Sequence, residues 1–305
     1  MMYQFAIQGR ISQEILRVVS EQLAFATGCL QEMEDRHLGI HEARKSLKKV
    51  RAALRLAQTA LPPETFYYAN RLVRDQGRAI SALRDASALI EALDKLRLLH
   101  PEWIDEENYR QIRQVLEMRR DALFQQMIGR EQIDRQVIVE LETFGQGVKH
   151  WKPTQRSFQK AFQPGLETTY ANGIAAFRLA IEQPTAHHFH EWRKRVKDLW
   201  YHVLLLEACW PPVMMGFGEA LHLLSDVLGD EHDLNVFHEQ LVQGEIATHT
   251  EESRQGLLHL FEQEIEVLRV SAIEMGHKVY NIDPHLFGDQ FAGCWRQARR
   301  RRVAT

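Results

Sequence analysis

Little in this sequence is of the kind that would place it in a secreted, membrane or disulfide-stapled class. Its three cysteines, Cys29, Cys209 and Cys294, are far apart in 305 residues and outside any CxxC pairing. That excludes a disulfide framework and a CxxC-type structural zinc site, and it fits a reducing compartment. No stretch reaches the roughly eighteen apolar residues of a membrane span. The opening residues, Met1 to Arg10, lack the basic region and apolar core of a signal peptide, so a cytoplasmic location is expected. Net charge is scarce as well, with 38 Lys+Arg against 41 Asp+Glu. Disorder is excluded by a hydrophobic content of 45%.

Glycine and proline are few, 17 and 9, and fall between long stretches with apolar residues three and four apart. That pattern predicts an all-α protein. The length suggests two domains, each large enough for its own core. Three Gly and two Pro between Gly145 and Gly165 mark the expected linker, separating residues 1–150 from 151–305 with about four helices each.

An internal repeat supports this division. His41-Glu42-Ala43-Arg44-Lys45-Ser46-Leu47-Lys48 lies over His190-Glu191-Trp192-Arg193-Lys194-Arg195-Val196-Lys197. Apolar residues stand at the third and seventh places of both. The register continues from Val50 and Leu54 to Leu199 and Val203. A second pair of matching segments, Leu83-Arg84-Asp85 and Glu231-His232-Asp233, places an Asp 44 and 43 residues beyond the respective His.

The mean charge conceals a basic segment: residues 36–78 hold ten Lys/Arg and three acids, a local +7. At 100° per residue, His41, Arg44, Lys45, Lys48, Arg51 and Arg55 occupy about a third of a helix circumference. Ala43, Leu47, Val50 and Leu54 form the neighbouring apolar stripe. One face packs and the next is cationic. Arg71, Arg74 and Arg78 give the following helix a basic edge, so the two helices are expected to line one groove. The ordinary reading of such a run is a solvated face with i,i+4 ion pairs. Arg44, Lys48, Arg51 and Arg55 have no acid three or four residues away on their own helix, and a recurring unneutralised stripe points to an anionic ligand such as phosphate. His41 and His190 are expected to open their helices, to donate to phosphate and to gain charge below about pH 6.5. Asp85 and Asp233 are expected to orient neighbouring bases. Phe66, Tyr67 and Tyr68 read as packing residues, and Trp192, Trp200 and Trp295 as core or interface.

Taken together, the two copies of the motif, Arg71-Leu-Val-Arg-Asp-Gln-Gly-Arg78, Tyr170-Ala-Asn-Gly173 and Leu228-Gly-Asp-Glu-His-Asp233 resemble the CHAD family, the conserved histidine α-helical domain. The likeness runs from about Ile11 to Arg302. It implies two pseudo-symmetric four-helix bundles, residues 1–150 and 151–305, that form a basic groove or pore binding inorganic polyphosphate without catalysis or cofactor. Carried over by position, the binding residues are His41, Arg44, Lys45, Lys48, Arg51, Arg55, Arg71, Arg74, Arg78 and Arg84, then His190, Arg193, Lys194 and Lys197. The second copy departs from symmetry: Trp200 stands for Arg51, Asp198 for Lys49, Asp226 for Arg78 and His232 for Arg84. Binding is therefore expected mainly in the first half, extended by Arg296 and Arg299 to Arg302.

Two other readings stay open. Asp226, Asp230 and Asp233 share a helical face, and with His232 and His190 or His238 they could assemble a metal centre for phosphate-ester hydrolysis. No HExxH, P-loop or Gly-rich phosphate motif accompanies them. Nucleic acid would feel the same field, but no aromatic stacking platform is interleaved with the bases.

Overall fold

A computed structural model describes residues 3–101, 104–248 and 250–301. All regular structure among them is helical, as the spacing predicts. The helices are α1 (Ile11–Glu32), α2 (Arg36–Leu56), α3 (Pro63–Ala79), α4 (Ser81–Leu99), α5 (Glu106–Phe124), α6 (Ile133–Val148), the short α7 (Phe158–Ala161), α8 (Gln163–Glu182), α9 (Ala186–Leu206), α10 (Pro211–Val242), α11 (Glu251–Val279) and α12 (Pro284–Arg301).

Local chemistry sets the ends. The Asp35 carboxylate caps α2 by accepting from the backbone N–H of His37 at 2.9 Å and of Leu38 at 3.0 Å. Thr185 caps α9 in the same way, accepting from the N–H of His188 at 3.2 Å. Proline opens α3, α10 and α12, where its missing N–H is not needed. Because α2 begins at Arg36 and α9 at Ala186, His41 and His190 stand in the second turn and do not open their helices. Gly39 is helical and buried within α2.

Among the described residues six helices precede residue 149 and six follow, where about four each were expected. In the first half the chain turns at Ile80 between α3 and α4. Beyond α5 it runs through a π-helical turn, Gln125–Arg130, and restarts after Gln132 at φ 52°. The linker is also shorter than the glycines suggest. Gly145 and Gly147 belong to α6 and Gly165 to α8, which leaves 149–157 non-helical. Gly165 is a close contact: a Cβ there would lie 2.5 Å from the carbonyl oxygen of Leu56 and 2.7 Å from that of Arg55. The first turn of α8 thus abuts the end of α2.

Packing follows the predicted stripes. On α2, Ala43, Leu47, Val50 and Leu54 are buried, and so are Trp192, Val196, Leu199 and Val203 on α9. Each fully buried Leu or Val contributes about 2 kcal/mol. In the first half α1 packs on α2 and α6, and α4 on α5; in the second, α8 packs on α9 and α12, and α10 on α11. Across the halves, α2 meets α8 and α9, and α4 meets α10. One core runs from Phe5 to Trp295 through both halves. A second cluster, with Leu93, Ile112, Phe237 and Phe261, joins the far ends of α4, α5, α10 and α11. At the crossing of α2 and α9, fully buried His202 donates from Nε2 to the carbonyl of Ala52 at 2.9 Å. Burial holds its pKa near 3, so it stays neutral.

Candidate anion-binding cavity

The apolar stripes of α2 and α9 both face the core, so the basic edges beside them emerge on the same side of the crossing. Between them lies a cavity of about 430 Å³, completed by α3 and the first residue of α4. Arg44, Lys48, Arg51 and Arg55 come from α2, Arg74 and Arg78 from α3, and His190, Arg193, Lys194 and Lys197 from α9. The expected groove between α2 and α3 therefore has the second motif as its opposite wall. Arg195 adds a further cation, which makes ten Lys and Arg side chains around a single carboxylate, Asp198.

The other expected site residues lie off this lining. Lys45 pairs with Glu42 at 3.1 Å, and Arg71 is exposed on α3. Arg84 makes a bidentate pair with Glu91, at 2.7 and 3.0 Å, while its field still reaches His41, Arg44 and Lys197. Arg296, Arg299 and Arg300 are on α12, which packs on α8 and does not border the cavity. Arg302 and the side chain of Arg301 lie outside the described residues.

Neutralisation inside the cavity is incomplete. Asp198 accepts from Arg55 Nη2 at 2.7 Å, Asp85 stands 3.7 Å from Arg44 Nη2, and Arg51 Nε donates to Asn70 at 3.1 Å. Arg44 Nη1, Arg55 Nε, Arg193 Nε and His190 Nδ1 are buried with no hydrogen-bond partner. Lys48 lines the cavity and is itself exposed there. The surrounding protein, followed by Lys197, Arg44 and Arg193, brings its pKa down to about 7. Burial and Arg193 lower Lys197 to about 8, and burial and Arg55 lower Arg51 to about 10. A buried guanidinium nitrogen left without a partner costs solvation that an anion would return.

The histidines differ from expectation in charge. His190 and His232 face each other with ring centroids 4.1 Å apart. Burial, aided by Lys194 and Arg193, lowers His190 to about 4, and burial beside His190 lowers His232 to about 3. His41 is lowered too, by burial and by Arg84. His190 and His232 are therefore neutral near pH 7, and each offers one N–H instead of a positive charge.

The acids of α10 do not converge. Asp226 holds His222 at 2.7 Å and Asp230 pairs with Lys95, while Asp233 faces Arg193 and Arg84. Among the described residues no group of three His, Cys, Asp or Glu side chains is placed to hold a metal ion. Phe66 is buried as expected, but Tyr67 and Tyr68 are exposed and do not border the cavity. Trp192 and Trp295 are core residues; Trp200 is only half-buried and stacks on Tyr201, a cavity residue, at 5.1 Å.

Sequence reasoning passed over Arg195 and Asp198. Arg195 has acids at i−4 and i+3, Glu191 at 3.7 Å and Asp198 at 3.6 Å, and so reads as a self-neutralised surface residue. The signal for Asp198 was its position, an acid where the first copy carries Lys49.

Residues 20–242 match the CHAD domain family. Comparison with curated proteins finds no match.

Proposed function

The chain belongs to the CHAD family, and from that premise we propose that the cavity between α2 and α9 binds inorganic polyphosphate without converting it. One observation carries this reading: ten cationic side chains and one carboxylate surround about 430 Å³. Buried donors of Arg44, Arg55, Arg193 and His190 have no protein partner there. A linear polyanion with several oxygens per unit suits both the number and the spacing of these donors, since residues three and four apart on α2 repeat about every 5 Å along its axis. Guanidinium groups, seven of the ten cations, stay protonated near neutral pH and so serve as donors and not as bases.

In this reading the two halves, 1–150 and 151–305, are duplicated bundles. The pairings α1–α2, α1–α6 and α4–α5 correspond to α8–α9, α8–α12 and α10–α11. The cavity belongs to neither half alone, because each supplies one copy of the basic motif. No helix among the described residues is long and apolar enough to cross a membrane. Recruitment to polyphosphate granules in the cytoplasm is the use such a binder would serve.

Competition separates polyphosphate from nucleic acid. Labelled long-chain polyphosphate bound to the protein should resist displacement by duplex and single-stranded DNA at equal phosphate concentration. Ready displacement by either DNA would replace this reading with nucleic-acid binding.

A further inference from the structure

The two openings expected of a duplicated site are not equivalent here. On the α3 side the lining continues outward through Arg51, Arg74 and Arg78. On the other side, among the described residues, no residue of α10 lines the cavity. Where the first half has Arg51, the second has Trp200, packed between Tyr201 at 5.1 Å and His222 at 4.3 Å. Where the first has Arg78, the second has Asp226, with a carboxylate oxygen 2.7 Å from His222 Nδ1. Tyr201, Trp200, His222 and Asp226 thus form a row of contacts from the cavity wall to α10, where His222 and Asp226 are exposed. The fields of Asp226 and Asp233 both reach Lys197. Contact between α4 and α10, fastened by Lys95 and Asp230, adds to the closure.

We propose that this cavity is blind and takes polyphosphate by its chain end, the terminal phosphate seated among Arg44, Lys48, Arg193 and Lys197 and the chain leaving past Arg51, Arg74 and Arg78. The inference rests on the polyphosphate reading and specifies which part of the polymer is recognised. A polyanion leaving on the α10 side would meet bulky aromatic rings in place of Arg51 and the Asp226 carboxylate, which repels it, in place of Arg78. Arg44, Arg193 and His190, which line the cavity, each also keep one buried nitrogen without a hydrogen-bond partner. An internal phosphate unit carries roughly one negative charge, whereas a terminal one, with a second ionisation near pH 6 to 7, carries nearly two. The doubly charged end matches the densest cation cluster. The singly charged chain matches the sparser outer arginines.

The test uses the full chain and two preparations of the same long linear polyphosphate, one with free termini and one with both termini capped as phosphoramidates, which leaves each end unit a single negative charge. Capping barely changes total charge but removes the recognised group. The expected result is that capped polymer binds at least about tenfold more weakly, and that affinity of free-ended polymer, counted per chain, is the same for short and long chains. Equal binding of capped and free polymer, with affinity scaling with total phosphate, overturns end recognition and leaves polyphosphate binding intact. Failure of both polymers to bind overturns the functional reading itself. A Trp200→Arg/Asp226→Arg double variant, shown to be folded by circular dichroism, should restore binding of the capped polymer by opening the second side. A folded double variant that still rejects capped polymer overturns the assigned closure.

Discussion

Arg55 on α2 donates to Asp198 on α9 at 2.7 Å, joining the two basic helices across the floor of the cavity. Burial raises the Asp198 carboxyl, and Arg55 is the first of the cations that offset this. The pair locks the crossing of the helices at the expense of one unit of positive field. Changing Asp198→Asn should therefore separate stability from affinity. Thermal unfolding should show a loss of about 2–3 kcal/mol, because a partly buried arginine loses its charged partner. Polyphosphate binding by the folded variant should tighten. Weaker binding would mean that Asp198 positions Arg55 and Arg51 for the ligand more than it opposes the anion.

The depressed pKa values of Lys48, about 7, and Lys197, about 8, set a pH dependence. In the free protein these lysines lose protons as pH rises through those values, whereas a bound polyanion keeps them charged. The complex then holds more protons than the free protein above pH 7. Affinity is greatest below about pH 7 and falls toward pH 9, by at most about tenfold per unit for each lysine. Calorimetry at pH 8 in two buffers of different ionisation enthalpy should show proton uptake on binding. Lys48→Arg, which cannot deprotonate in this range, should reduce it. Uptake unchanged in Lys48→Arg, or absent in the native protein, would contradict this account.

Stability of the free protein should move the opposite way. Unfolded Lys48 keeps its proton to about pH 10, so above pH 7 the unfolded state binds more protons and folding gains stability as pH rises. Melting temperatures between pH 7 and 9 should climb less steeply in Lys48→Met than in the native chain. Identical slopes would place the titrating group elsewhere.

Glu231, fully buried on α10, accepts from Arg269 Nε at 2.9 Å, and the Arg269 guanidinium lies 4.8 Å from the Phe189 ring and donates to the carbonyl of Pro184 at 3.0 Å. This one side chain ties α10, α11 and the start of α9. Arg269→Met should cost about 3–5 kcal/mol by leaving the carboxylate unpaired, and adding Glu231→Gln should recover part of it. Gly276 has a steric role beside it: a Cβ there would lie 2.7 Å from the Trp192 ring. Gly276→Ala should cost about 1–3 kcal/mol by overpacking. Denaturant unfolding measures all three, and a neutral Gly276→Ala would mean that α11 can shift away.

What could be read from the sequence was what a single helix encodes. The 3.6-residue period assigned Leu47, Val50, Val196 and Leu199 to the core, and the cationic edge beside them was equally plain. What could not be read was which helix lies opposite. The α2–α9 crossing depends on contacts such as His202 to Ala52, 150 residues apart, and Gly165 against Leu56. So helix spacing placed the groove between α2 and α3, and Arg193, Lys194 and Lys197 of its second wall entered as binding residues only through the family resemblance. Asp198 was visible only as a break in the repeat. The charge of His190 was misjudged because burial, which holds it neutral, leaves no local mark in sequence.

The central claim is that the crossing of α2 and α9 is a polyphosphate site. The most direct measurement is a salt titration of polyphosphate affinity for the native chain and for a variant with Arg44, Lys48, Arg51 and Arg74 changed to Ala, its fold checked by circular dichroism. The account predicts tight native binding that weakens steeply with salt, and a variant that binds far more weakly with a slope reduced by roughly three to four counterions. A folded variant that keeps the native affinity and slope would contradict it.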